Sequence, residues 1–530
     1  MNTTIKFLGL SLALFVLLSI ASFHAPEQKI LPKINPKDSI ADSLDVTKKF
    51  ISINDDKNGK ISDQFRAGSV VINNLNPIVK ETENGYEIQL SATNIPSPVI
   101  YNGKVYVSGG FGSKQYYSFE AKTGKKVWSV DIDDDGPSSA AIADDIIVYN
   151  TESCTIFACK TGTGEQLWSY WLGDPLMSMP TIANGIVFTA YPSMYSANID
   201  NQMDGLQINK SPVIEQLSNQ SSNIKNNNHS TLVSHVVIAI ELKTGKILWQ
   251  KRVDGDVMSA PVAVNNELYV TTFSGTLFKF KQKTGEILSA KSIRATSAPV
   301  IYKDQIFVSQ RSDKHGEEVQ ESVANYASED MIQTNEYNKR SAPYLDKNIQ
   351  EKSKLKELAM DYDAGNGFSA GAPVSSGYLK ANDVVGQSNV SSLQSFQGSR
   401  TLHHNGKNYN TMGDELICSD PVSGKESWKI KIKGDLHAEG GFIGTPPILA
   451  GDKIVIASYN GEITINDPKT GNLIKTYNIK DNIRYQPIVQ DGWIYVTTTS
   501  GKLVAINTQD KTLTGWPMWG ANSARTNLVK

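Results

Sequence analysis

The chain has 530 residues, of which 39% are hydrophobic and 20% are charged, so it can build a large core. Its 52 basic and 54 acidic residues give a formal net charge of -2. No strong overall field attracts such a chain to nucleic acid or to anionic lipid, and nucleic acid is excluded as an expected partner.

The first 21 residues have the pattern of a secretory signal peptide. Lys6 precedes an apolar run that ends at Leu18, and small residues follow at Ser19 and Ala21. The run is short for a membrane span, and cleavage is expected after Ala21. The sequence therefore predicts a periplasmic or secreted protein with no stable membrane span. The alternative is retention by an uncleaved N-terminal anchor.

Residues 22–85 are predicted to be a lead-in to the main domain. Its first part is polar, and the dipeptide Asn58-Gly59 between two short alternating segments predicts a β-hairpin.

From Ser97 onwards the chain repeats a unit of about 40 residues. Each unit contains an apolar strand, a polar turn, two further strands, a Thr-Gly or similar turn and a last strand. The unit openings are Pro98, Ser139, Pro180, Pro261, Pro299, Arg400, Pro447 and Pro487. A tryptophan follows the Thr-Gly turn or its Ser-Gly equivalent in four units, at Trp128, Trp168, Trp249 and Trp428. Its large apolar face is expected to dock one unit on the next.

A unit of this length cannot bury both faces of its sheet alone, so the units have to stack or close into a ring. We predict an all-β, eight-bladed β-propeller of four-stranded antiparallel blades over residues 86–520. Seven blades are the alternative, because the sixth opening at Arg400 is degenerate. Residues 86–90 match the fourth strand of a unit that lacks its first three strands, and pairing them with the last repeat would close the ring.

Two long insertions are predicted, at about residues 198–232 and 312–395. The first is rich in Asn, Ser and Gln, and the second is charged. Within the second, residues 321–326 are a candidate for the missing third strand of the fifth unit.

Residues 119–128 (FEAKTGKKVW) and 240–249 (IELKTGKILW) resemble the pyrroloquinoline-quinone-type (PQQ-like) repeat. That family includes the eight-bladed quinoprotein dehydrogenases and the BamB-type outer-membrane assembly factors, which share the fold but bind no quinone. The resemblance covers about residues 86–520 and implies the propeller fold. Residues 515–522 resemble the closing segment of secreted members and are expected to pack against the ring. Residues 521–530 are predicted to be a C-terminal tail.

In this fold, the links between successive blades lie on one face around a central channel, where a binding site is expected. The candidate residues of this face are Asp254, Asp256, Arg294, His437, Glu439 and Arg484. Asp131, Asp133 and Asp135 also match the first three oxygen ligands of a calcium loop, although Ser139 and Ile142 stand at its ninth and twelfth positions. The alternative is a solvated acidic turn.

Two functions are compatible with these patterns. The first is an exported, non-catalytic scaffold, a monomer without a cofactor, that binds a protein, a peptide or a cell-envelope component. The alternative is a PQQ-dependent oxidoreductase of the alcohol or sugar dehydrogenase type, with calcium-bound PQQ in the channel and an aspartate as general base. The adjacent cysteine pair of many such enzymes is missing, since Cys154, Cys159 and Cys418 are separate. His403 and His404 accompany no recognisable nucleophile motif.

Overall fold

The computed structural model describes residues 68–110, 112–151, 155–172, 179–192, 235–253, 257, 260–272, 275–312, 320–341, 400–436, 443–516, 518 and 520–525. The predicted signal peptide, the hairpin at Asn58-Gly59 and the Asn-rich insertion lie outside these residues. Regular structure in the described part is entirely β, with 35 strands in eight antiparallel sheets. It therefore contains no helix of the length and apolarity needed to cross a membrane.

Three strands precede the first repeat. They are β1 (Val70–Asn73), β2 (Val79–Thr82) and β3 (Gly85–Gln89). Blades 1 to 4 follow, each built from four consecutive strands. Blade 1 has β4 (Val99–Tyr101), β5 (Lys104–Ser108), β6 (Gln115–Glu120) and β7 (Lys126–Ile132). Blade 2 has β8 (Ala141–Ala143), β9 (Ile146–Asn150), β10 (Thr155–Lys160) and β11 (Gln166–Trp171). Blade 3 has β12 (Thr181–Ala183), β13 (Ile186–Pro192), β14 (His235–Glu241) and β15 (Ile247–Val253). Blade 4 has β16 (Val262–Val264), β17 (Glu267–Thr271), β18 (Thr276–Lys281) and β19 (Ile287–Ser292).

Blades 5 to 8 complete the ring. Blade 5 has β20 (Val300–Tyr302), β21 (Gln305–Ser312), β22 (Gln320–Ala327) and β23 (Gln333–Ser341). Blade 6 has β24 (Thr401–His404), β25 (Lys407–Met412), β26 (Glu415–Ser419) and β27 (Glu426–Lys431). Blade 7 has β28 (Ile448–Ala450), β29 (Lys453–Ala457), β30 (Glu462–Asn466) and β31 (Leu473–Asn478). Blade 8 has β32 (Ile488–Gln490), β33 (Trp493–Thr497) and β34 (Lys502–Asn507), with β3 as its fourth strand, and β35 (Gly515–Trp516) adds to blade 7 beside β28.

The two ends of the propeller sequence share blade 8, as predicted. β3 pairs with β34 in a register that places Tyr86 opposite Ala505 and Ile88 opposite Leu503. The first strand of this blade, β32, also contacts β4 of blade 1. The prediction of eight blades is confirmed, and the ring is closed by strands from both termini.

The lead-in contributes more to the sheets than the sequence predicted. β1 pairs with β7 at the outer edge of blade 1, and β2 pairs with β3 at the outer edge of blade 8. The sheets therefore begin at Val70 and not at residue 86. An added strand of this kind covers the hydrogen-bonding edge of a blade.

Blade 5 is the second place where structure and prediction differ. Residues 321–326 lie in its third strand, β22, which confirms that prediction. The fourth strand, β23, was missed, so the insertion predicted at 312–395 began too early. The physical reason is composition: β23 has the polar sequence QTNEYNKRS and is preceded by no Thr-Gly turn.

Neighbouring blades are joined by the tryptophan side chains that the repeat predicted. Each indole N–H donates to a backbone carbonyl of the next blade, in the pairs Trp128 to Thr161 at 2.7 Å, Trp168 to Leu242 at 2.8 Å, Trp249 to Gln282 at 2.7 Å and Trp428 to Pro468 at 3.0 Å. Each ring also covers the glycine of the next blade's Thr-Gly turn. A Cβ atom on Gly164, Gly245, Gly285 or Gly471 would lie 2.5–3.0 Å from a ring carbon of that tryptophan.

Tyrosine takes the place of tryptophan where the ring closes. Tyr86 of blade 8 donates its hydroxyl to the carbonyl of Ala121 in blade 1 at 2.7 Å. Its ring lies against Gly124, where a Cβ would come within 2.9 Å. The joint between blades 8 and 1 therefore has the same two contacts as the tryptophan joints, a hydrogen bond to a backbone carbonyl and a ring packed on a turn glycine.

We expect the substitution Gly245→Ala to destabilise the fold more than Gly185→Ala. Both glycines have a φ of +74°, so both substitutions carry a left-handed backbone strain of about 1–2 kcal/mol. A new Cβ at Gly245 would lie 2.7 Å from Trp168, whereas at Gly185 it meets nothing within 4 Å. The crowding adds about 1–3 kcal/mol. Urea-unfolding midpoints of the two variants measure the difference, and equal midpoints would contradict the proposed indole contact.

Candidate functional site

The links between blades define one end of the ring. Because the four strands of each blade alternate in direction, every first strand begins at the same end, and every link from the preceding fourth strand lies there. The links within the described residues include 133–140, 293–299 and 479–487. We call this end the link face.

Two of the six predicted binding residues are described, and both lie on the link face. Arg294 has a left-handed φ of +54°, and the backbone beside it is held because Ala295 N–H donates to the carbonyl of Gly275 at 3.2 Å. The guanidinium of Arg484 lies 4.6 Å from the ring centre of Tyr459, a cation–π contact.

The two arginines belong to links three blades apart, so the structure places them on one face without bringing them together. The other four predicted residues, Asp254, Asp256, His437 and Glu439, lie outside the described residues.

Two of the three aspartates predicted as calcium ligands, Asp131 and Asp133, accept hydrogen bonds from protein groups. Asp131 accepts a hydrogen bond from Gln115 Nε2 at 3.0 Å. Asp133 accepts from the backbone N–H of Ser69 at 2.6 Å and from its hydroxyl at 3.2 Å. Together with Asp135 they form no metal-binding group, since no cluster of three His, Cys, Asp or Glu side chains occurs in the described part of the chain. Asp133 therefore binds the residue just before β1 and holds the start of β1 against blade 1.

The C-terminal residues 513–525, which we call the tail segment, lie inside the ring. At the end opposite the link face, Gly492 N–H donates to the carbonyl of Leu513 at 3.2 Å. The tail segment then forms β35, which pairs with β28 of blade 7. Further along, Ile142 N–H of blade 2 donates to the carbonyl of Ser523 at 2.8 Å, and Ile182 N–H of blade 3 donates to that of Ala524 at 2.9 Å. The tail segment therefore crosses the channel.

Arg525 lies in the channel at the link face. Its side chain donates to Ser139 Oγ at 2.6 Å and to the carbonyl of Pro180 at 3.2 Å, at the starts of the first strands of blades 2 and 3. The residue is 4% exposed, and burial lowers the pKa of Arg525 to about 9. The guanidinium consequently remains charged at neutral pH. The expectation that residues 515–522 pack against the ring is confirmed, and they pack on its inner wall.

The described residues do not fit a calcium-bound PQQ in this channel. The tail segment occupies its interior, where Met518 and Ala521 are each 5% exposed. The described channel and links supply no carboxylate cluster for the calcium. Cys159 and Cys418 are buried in blades 2 and 6, and burial raises the pKa of the Cys159 thiol to about 12. We therefore derive no oxidation step for this chain.

His403 is a packing residue between blades 5 and 6. Its ring lies 4.2 Å from that of Tyr302 and stacks at 4.9 Å on that of Phe307. The Nδ1 atom is 2.6 Å from Oδ1 of Asn408. Burial lowers the pKa of His403 below its ordinary value of 6.5. The hydrogen bond with Asn408 opposes this shift, whereas the nearby charges of His404 and Lys303 add to it.

The stability of the protein should fall as the pH drops below about 6.5. With a lowered pKa in the folded state, His403 takes up its proton in the unfolded chain first, so acid favours unfolding. His403→Phe keeps an aromatic ring at the interface but cannot titrate. We expect it to lose less stability between pH 7 and pH 5 than the wild type does, measured as unfolding midpoints at each pH. Burial also lowers the pKa of His404, so the His403→Phe variant should still lose some stability between pH 7 and pH 5. Identical pH profiles would exclude this role for His403.

Sequence reasoning missed the part played by Arg525 and the tail segment. Ser139 was recognised as a unit opening, but nothing in its spacing indicated a partner almost 400 residues later. The available signal was the run of small residues Gly520, Ala521, Ser523 and Ala524 before a lone arginine, which is suited to a narrow passage.

The fold and the repeat together define a PQQ-like β-propeller. A family model described as outer membrane protein assembly factor BamB matches residues 80–172, 115–208, 228–320 and 375–510, which is more than half of the chain. The chain belongs to this family.

Individual relatives are distant. The outer membrane protein assembly factor BamB of Moranella endobia (strain PCIT) is 20% identical over 245 residues, covering 41% of this chain and 62% of the relative. That of Burkholderia pseudomallei (strain K96243) is 25% identical over 224 residues, covering 38% and 56%. Both matches thus span less than two thirds of the relative.

Among solved structures, the computationally designed Ika8 protein has a TM-score of 0.50 and 11% identity, covering 79% of this chain and 98% of its own. At that identity the likeness concerns the fold alone.

Proposed function

We propose that this chain is an exported, non-catalytic propeller scaffold, and that it binds a protein of the cell envelope through its link face. The observation that carries the proposal is the tail segment in the channel. With the channel occupied from within, recognition is expected on the surface of the ring, and the link face carries the connections between blades, where binding residues are concentrated.

The charged side chains of the link face support a protein partner. The Arg484 guanidinium lies against the ring of Tyr459, so little side-chain freedom is lost when it contacts a partner. The backbone at Arg294 has a defined left-handed φ of +54°. Arginine is also enriched in protein interfaces.

The relatives suggest which kind of partner to look for. They are named as assembly factors for outer membrane proteins. We therefore propose a partner that takes part in outer-membrane protein assembly, reached after export through the signal sequence in residues 1–21.

Site-specific photo-crosslinking in the source organism tests this proposal. A photoreactive amino acid at Arg294 or Arg484 should crosslink to one envelope protein, identified by mass spectrometry. Matched controls carry the same group at Lys281 or Lys425, exposed residues beside the turns between third and fourth strands, which lie at the opposite end of the ring. Crosslinking from the control positions with equal or higher yield would contradict a link-face interface.

A further inference from the structure

We propose that the central channel is a binding site for an extended, arginine-bearing peptide segment, and that the tail segment is the ligand the site now holds. This inference shares with the proposed function the observation that the tail segment occupies the channel, but it does not depend on which partner the link face binds. It depends on three features: the inner strand edges, the anchor at Arg525 and a tight turn in the tail segment.

The inner wall of a propeller offers backbone groups to a peptide. The first strand of each blade pairs with the second on one side only, so its other edge faces the channel. The tail segment uses this edge in blades 2, 3 and 7, at Ile142, Ile182 and Leu449. The Ser523 hydroxyl also donates to the carbonyl of Ile142 at 3.1 Å. Hydrogen bonds of this kind supply affinity for an extended peptide with little dependence on its sequence.

The anchor supplies selectivity. The side chain of Arg525 donates to Ser139 Oγ and to the carbonyl of Pro180, and both contacts are buried. Charge-assisted hydrogen bonds in a buried setting are stronger than neutral ones. A ligand without the guanidinium would leave the Pro180 carbonyl and Ser139 without this donor, a cost that falls on any peptide lacking arginine at this position.

The turn before the anchor requires small residues. Ala521 N–H donates to the carbonyl of Met518, and Arg525 N–H donates to that of Asn522, each at 3.0 Å. Gly520 has a φ of +72°, and a Cβ there would lie 2.6 Å from Cα of Arg525. The site therefore selects a glycine five residues before the arginine as well as the arginine itself.

Binding in trans tests the proposal. The chain is truncated after Thr512, and a labelled synthetic peptide of residues 513–530 is added while fluorescence anisotropy is recorded. We expect saturable binding of one peptide per chain. Peptides with Arg525→Ala or Gly520→Val should bind at least tenfold more weakly, and a scrambled peptide of the same composition, which loses both determinants, should bind more weakly still. The proposal would be overturned if the truncated chain is folded but does not bind the native peptide, or if it binds the Arg525→Ala peptide as tightly as the native one.

A second measurement covers the case in which the truncated chain does not fold. In the full-length variant Arg525→Ala, hydrogen exchange should be at least tenfold faster at the amides of Ile142 and Ile182, which donate to the tail segment. The first strand of blade 4, Val262–Val264, is the internal control and should exchange as in the wild type. Unchanged exchange at Ile142 and Ile182 would show that Arg525 does not anchor the tail segment, and would equally overturn the proposal.

Discussion

The ring depends on the packing of an indole ring over the glycine of the next blade's turn. In the joint between blades 2 and 3, Trp168 donates to the carbonyl of Leu242 and covers Gly245, which has no side chain to displace it. The contact buries a large apolar surface and satisfies the only polar group of the indole. Because each blade of a repeat protein contacts only its neighbours, the joints at Trp128, Trp168, Trp249 and Trp428 set the positions of the blades on either side of them. These joints therefore also set the relative positions of the links on the link face.

The two ends of the propeller sequence close the ring and fill its channel. β3 supplies the fourth strand of blade 8, and Tyr86 on that strand forms the same type of joint with blade 1. The tail segment then passes from blade 7 to blades 2 and 3 across the channel. A channel filled by the protein's own backbone differs from one that holds a cofactor. We propose that recognition takes place on the link face instead.

Periodicity made most of the fold predictable. The count of unit openings predicted the blade number, and the match of residues 86–90 to a fourth strand predicted the ring closure. The fourth strand of blade 5 was hidden because a polar strand held by side-chain contacts, such as Asn338 Nδ2 to Asn410 Oδ1 at 2.9 Å, has no apolar alternation. The site was harder to predict. Spacing cannot show where a carboxylate points, so Asp133 resembled a metal ligand although it binds Ser69. Spacing also cannot show that the side chain of Arg525 donates to Ser139.

We propose that the channel holds the tail segment and not a quinone. The most direct measurement is a calorimetric titration of the full chain with pyrroloquinoline quinone, with and without calcium, beside a quinoprotein dehydrogenase as positive control. We expect no saturable binding heat in either condition. A saturable isotherm that requires calcium would contradict it, because the quinone would then have to displace the tail segment from the channel.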